Sequence, residues 1–195
     1  MLALGDATRR FPRCAPSMAV RFDAAADRLL RTANLPADDG PWTVSFYVRF
    51  VALPAEADYA IQLSLNDNTG VNTITYVMLN NNVTDVRWTL WVGVAAETRG
   101  TIVPAVDTWY AVQVVRGAVA NRSDVYVDGV LDVQGTAAAL AAATRFEFGA
   151  AQTSSFPMDG RMAAIKWWSA VLSTDQLARE REQWCPVRTM NLEGF

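Results

Sequence analysis

Histidine is missing from all 195 residues. With it go the Ser-His-Asp and Cys-His catalytic arrangements, histidine-ligated zinc, facial-triad iron sites and ordinary haem ligation. Cysteine is nearly missing too: Cys14 and Cys185 are the only two, too few for a structural zinc site. No stretch reaches the roughly eighteen apolar residues of a membrane-spanning helix, so no membrane insertion is expected. The net charge is −3 and the single lysine is Lys166, which leaves no basic footprint for nucleic acid. Carboxylate catalysis, calcium held by oxygen atoms, or binding without chemistry remain open.

What is present points to a packed globule. Half of the residues are hydrophobic (51%), and seven are tryptophan, a composition that opposes disorder. The length suits one domain. Arginine supplies almost all the positive charge and alanine is abundant, which fits a GC-rich genome more than a particular activity.

Residues 1–17 resemble nothing that follows and read as an N-terminal extension, either an arm packing on a neighbouring subunit or a segment ahead of a natural start at Met18. Arg9-Arg10 is followed by Pro12, Arg13 and Pro16 where a signal would need an apolar stretch, so no signal peptide is expected. Residues 18–195 form the domain. Cys14 and Cys185 flank its patterned part. The ends of a sandwich often lie close together, so a Cys14–Cys185 disulfide is one reading and two unrelated thiols are the other.

From 18 to 170 the pattern has period two. Val44, Phe46, Val48 and Phe50 share one face of a strand, Ile61, Leu63 and Leu65 alternate with polar residues, and Arg87 to Val92 repeats the rhythm. Asp128-Gly129 joins two short strands with a pair that tolerates positive φ, the mark of a tight hairpin. Clusters of Asn, Asp, Gly and Pro separate the runs. The expected fold is all-β, a jelly-roll sandwich of two antiparallel sheets, with one short C-terminal helix over Ser173–Trp184. There, Ser173 and Gln176 form a capping box, Leu172 and Leu177 a hydrophobic staple, and Pro186 a stop. The alanine-rich segment 136–144 is too short to stand as a helix and reads as a loop or single turn.

Three blocks carry a resemblance. Ala19 to Leu29 with Trp42 to Val48, then Thr108 to Val114 with Val125 to Gly129, then Phe148-Gly149 through Trp167-Trp168 and Leu172-Ser173, resemble in order and spacing the laminin-G-like branch of the concanavalin A-like jelly rolls. The resemblance implies a module for binding or adhesion and names no ligand. Ala163-Ala164 stands where that family carries an acid pair.

A related branch hydrolyses β-glucans with E-x-D-x-x-E on one strand. None of the six glutamates here opens that motif, and Glu147 stands alone, so no pair of acids is in place for glycoside hydrolysis and no enzyme is expected. Related lectins hold calcium in loops at strand ends. Asn66-Asp67-Asn68 is oxygen-rich, yet Asp67 is its only acid, whereas hard cations want six to eight oxygens; a turn stabilised by Asn and Asp explains it better, and no cofactor is expected. Tyr47 and Trp91 alternate out of phase with the apolar faces and are candidates for a sugar platform; Tyr76 is ambiguous, and loop or helix cover is the alternative for all three. Trp42, Trp88 and Trp109 are assigned to the core. The expected function is recognition of a glycan or protein surface by an extracellular protein. The second reading is a structural subunit that self-assembles or decorates a particle such as a phage virion.

Overall fold

In the computed structural model the described residues are 19–24, 27–33, 35, 40–56, 58–66, 73–81, 85–92, 97–117, 119, 121–136, 143–150 and 156–182, with 73–78 and 92 described by their backbone. The first sheet has the spatial order β1 (Val20–Phe22), β12 (Gly160–Trp168), β3 (Trp42–Phe50), β8 (Trp109–Arg116), β9 (Arg122–Val127), β10 (Val130–Thr136). The second runs β2 (Leu29–Arg31), β11 (Arg145–Phe148), β4 (Tyr59–Asn66), β5 (Thr73–Asn81), β6 (Val86–Val92), β7 (Thr98–Arg99). Every neighbouring pair is antiparallel. The architecture is a jelly-roll sandwich of two six-stranded sheets plus one helix, α1 (Thr174–Glu182).

Alternation builds the core. Trp42, Val44, Phe46, Val48 and Phe50 of β3 and Tyr110, Val112 and Val114 of β8 meet Leu63, Leu65, Trp88, Leu90, Phe146 and Phe148 from the other sheet. Edge-to-face contacts such as Phe46–Phe148, with centroids 5.9 Å apart, tie the two layers. Trp109 departs from its expected place. The inward set of β8 begins one residue later, at Tyr110, so Trp109 is half-buried opposite Arg49 on the outer face. Ile61 departs as well. A register shift in β4 between Ile61 and Leu63 turns Ile61 out of the main core into a small cluster with Tyr59 and Trp91.

The Asp128-Gly129 hairpin forms as the dipeptide requires, with φ of 52° and 83°. Gly129 also gives room to the helix: a Cβ there would lie 1.2 Å from Nη1 of Arg181, whose flexible guanidinium would have to move. Ala164 sits at φ 57° in the irregularity of β12 between Ala163 and Lys166, left-handed geometry that costs a residue with a Cβ.

The helix docks on the outer face of the first sheet. Ser173 and Gln176 exchange capping bonds: Ser173 N donates to Gln176 Oε1 (2.8 Å) and Gln176 N to Ser173 Oγ (3.3 Å). Leu172 and Leu177 are both buried, with Val115, against Tyr126, Trp168 and Val171. Thr43 Oγ1 donates to Ala170 O (2.8 Å), Gln113 Nε2 to Leu177 O (2.7 Å) and Tyr47 OH to Arg181 O (2.6 Å). Lys166 pairs with Glu180 at 2.7 Å. Segment 137–142 of the alanine-rich stretch, Trp184, residues 1–18 and both cysteines lie outside the described residues.

Candidate functional site on the outer face of the second sheet

Strand register decides which side chains share a face. Leu30 lies opposite Glu147, Glu147 opposite Ser64, Ser64 opposite Tyr76, and Tyr76 opposite Trp91. This row crosses five strands, about 19 Å at the usual interstrand spacing. Asn66 and Arg145 pair one step along, while Ile61 and Thr89 both pair with Met78.

An outward sheet face is ordinarily wetted. Here its middle is withdrawn from water yet polar: Gln62, Ser64, Asn66, Thr89 and Glu147 are all fully buried. Glu147 is the charged member. Asn66 Nδ2 donates to Glu147 Oε2 (3.0 Å) and to Ser64 Oγ (2.7 Å). The guanidiniums of Arg28 and Arg145 stand 3.5 and 3.7 Å from Oε1, offsetting the desolvation of a buried carboxylate. Satisfaction is incomplete: Arg28 Nη1, Gln62 Oε1, Trp91 Nε1 and Glu147 Oε1 are buried without a hydrogen-bond partner.

Beside this layer lies an aromatic rim. Tyr59 and Trp91, both half-buried, pack against Ile61. Phe156 meets the Tyr59 ring edge-on at 5.3 Å and is 44% exposed. Its φ of 53° is an outlier for a bulky residue, fixed by the bond from Ile61 N to Phe156 O (3.0 Å). Burial first, then the nearby carboxylates of Glu97 and Asp58, raises the Tyr59 hydroxyl above the usual tyrosine range.

The expected ligand residues are thereby divided. Trp91 lies on this rim, and the Tyr76 backbone lies opposite it in register. Tyr47 belongs to the other sheet and points away from the core, but the helix covers it: burial chiefly, then the Asp128 charge, pushes its hydroxyl up to about 12. It is a helix-docking residue, so the helix cover, weighed above as the alternative, describes it. Asn66 is locked to Ser64 and Glu147, while Asp67 and Asn68 lie outside the described residues. Among the described residues no three acidic or cysteine side chains are grouped to hold a metal ion. Sequence reasoning missed Tyr59, Phe156 and the Arg28–Glu147–Arg145 cluster. Only the β4 shift and the strand order β2-β11-β4 bring these together, although the isolated Glu147 between two phenylalanines was a visible signal.

The two antiparallel sheets, closed by a capped helix on one outer face, define the lectin-type jelly-roll class. The family model of the concanavalin A-like lectin/glucanase superfamily matches residues 24–178, and the chain belongs to that superfamily. No curated protein sequence matches it. Among solved structures it is similar to a heptameric SAP-like pentraxin from Limulus polyphemus, with TM-score 0.58, 17% identity, and 77% of this chain and 73% of that one covered. It is also similar to a putative carbohydrate binding protein from Bacteroides ovatus, with TM-score 0.61, 13% identity, and coverage of 82% and 45%. A Trypanosoma rangeli sialidase gives TM-score 0.60, 16% identity, and coverage of 75% and 24%. The chain thus spans under half of the Bacteroides protein and about a quarter of the sialidase; at these identities the likeness is one of fold.

Proposed function

We infer that this chain is a non-catalytic binding module that takes a glycan on the outer face of its second sheet. One observation carries the reading: three partly exposed aromatic rings, Tyr59 and Trp91 against Ile61 and Phe156 against Tyr59, lie beside a buried polar layer with unpaired atoms. Flat aromatic faces offer apolar contact to sugar rings, and amide and carboxylate groups answer hydroxyls. The pentraxin and carbohydrate-binding neighbours support a binding role. Glu147 does not act as a hydrolytic acid in this reading, because its polar contacts are two arginines and an amide and not the second carboxylate that glycoside cleavage uses. A glycan array followed by titration of the best hit, monitored by tryptophan fluorescence, tests it. Binding weakened about tenfold or more by Trp91→Ala supports the site, and a blank array defeats the reading.

A second reading, a subunit of a larger assembly, is favoured by one end of the sandwich. Bonds from Asp107 N to Phe50 O and from Val51 N to Asp159 O bring two loops together, and Val51, Val103 and Val106 are exposed there. Apolar patches of that kind mark interfaces. Light scattering on the purified chain distinguishes a monomer from an ordered assembly.

A further inference from the structure

Resting on the glycan reading, we propose that the rim of Tyr59, Phe156 and Trp91, flanked by the carboxylates of Asp58 and Glu97, selects glycans that carry protonated amines, a glucosamine-type polymer in place of a neutral or N-acylated one. The placement follows from the sheet. Tyr59 pairs in register with Asn80, and Asn80 Nδ2 donates to Glu97 Oε1, which sets the Glu97 carboxylate on the Tyr59 side of the second sheet. Asp58 precedes Tyr59 and is exposed, with one oxygen accepting from Tyr59 N at 2.8 Å. The aromatic faces meet at the same place: the Phe156 ring stands edge-on to Tyr59, and Trp91 shares Ile61 with it.

An ammonium group gains from an aromatic face through the ring quadrupole and from carboxylates through charge. A neutral sugar gains only the first kind of contact area. The neighbouring guanidiniums do not cancel this. Arg87 and Arg99 share the Asp85 carboxylate, Arg87 Nε donating to Oδ2 (2.8 Å) and Arg99 Nη2 standing 3.2 Å from Oδ1, and Arg99 Nη2 also reaches Asn80 O (3.4 Å); against these two cations the carboxylates of Asp58, Asp85 and Glu97 keep the group net negative. Burial first, then the charges of Glu97 and Asp58, raises the Tyr59 hydroxyl. Two further features mark the spot as built for contact. Gln62, fully buried at the β4 irregularity beside Ile61, keeps Oε1 unpaired, and Phe156 holds its strained φ while its ring remains exposed, a combination that surrounding structure must sustain.

The test uses the full chain and two probes of one backbone, chitotetraose with free amines and its fully N-acetylated form, titrated at a pH where the amines are protonated. The expected result is about tenfold tighter binding of the amine form, a preference that shrinks in high salt and falls to near parity in Glu97→Gln and in Asp58→Asn, both of which keep the wild-type unfolding midpoint. Equal binding of the two probes, or tighter binding of the acetylated one, overturns the charge selection and leaves the glycan reading standing. Binding of a neutral glycan but of neither probe does the same. Binding of no glycan at all, or binding of the amine form that Tyr59→Ala and Phe156→Ala leave unchanged, overturns the assignment of this rim.

Discussion

On the outer face of the first sheet, Thr43, Tyr47 and Gln113 end on carbonyl oxygens of α1 and its approach. On the outer face of the second sheet, Gln62, Trp91 and Glu147 each keep a buried polar atom without a hydrogen-bond partner, Glu147 Oε1 meeting only the more distant guanidiniums of Arg28 and Arg145. Both faces are polar and both are largely withdrawn from water, so they start from the same deficit, since an unpaired buried donor or acceptor costs about 1–3 kcal/mol. The first face closes most of it with a helix whose apolar residue, Leu177, fills the gap while strand side chains cap backbone oxygens; Arg49 Nε and Arg122 Nε remain buried without a hydrogen-bond partner. The second closes it only in part, through Arg28, Arg145 and Asn66 around Glu147. What sets the second face apart is that its unpaired atoms sit next to partly exposed aromatic rings, which in the proposed reading is capacity for a ligand.

The comparison can be broken by mutation. Leu177→Ala removes the buried plug of the first face and is expected to cost about 3 kcal/mol in urea denaturation; a negligible loss would mean that the helix rests on the sheet without sealing it. Glu147→Gln keeps the volume but deprives two guanidiniums of their counter-charge. Because each arginine side chain is about a quarter exposed, solvent screens part of the loss, and about 1–2 kcal/mol is expected. A cost above that of Leu177→Ala would make the second face the structural one and reverse the contrast. Ser173→Ala, which deletes the helix cap, should cost about 1 kcal/mol.

A further effect is confined to alkaline solution. The Tyr47 hydroxyl is raised to about 12 in the folded state against 10.0 for a free tyrosine. Its contribution is therefore complete below pH 10 and lost as pH rises through 12, because the unfolded chain releases this proton first. Tyr126, in the same cluster and raised chiefly by burial, adds to the decline. Melts across that range should show a shallower loss for Tyr47→Phe than for wild type, whereas identical slopes would mean that the helix leaves Tyr47 open to solvent.

Local chemistry was legible from the residues. The Asp128-Gly129 turn, the Ser173–Gln176 box and the alternation of β3 follow from rules acting within a few positions, and each formed as expected. Period-two reading failed where one residue shifts the phase. It put Ile61 with Leu63 and Leu65, while the irregularity at Gln62 sends it to the opposite face, and it put Trp109 in the core one position ahead of Tyr110. Trp91 was found by the same phase argument that found Tyr47. No local signal told one from the other, because the difference lies in which sheet the helix covers. The Glu147 cluster was the least legible part: Asn66 is 81 positions away in the chain, and only the strand order makes them neighbours.

The most direct measurement is a paired one: affinity for the array-selected glycan and the unfolding midpoint, in Trp91→Ala and Leu177→Ala side by side. The division of labour between the faces predicts that Trp91→Ala loses about tenfold or more in affinity while folded, and that Leu177→Ala, kept below its lowered midpoint, binds as wild type does. Wild-type binding by Trp91→Ala together with lost binding in folded Leu177→Ala would place the ligand on the helix side and contradict the account.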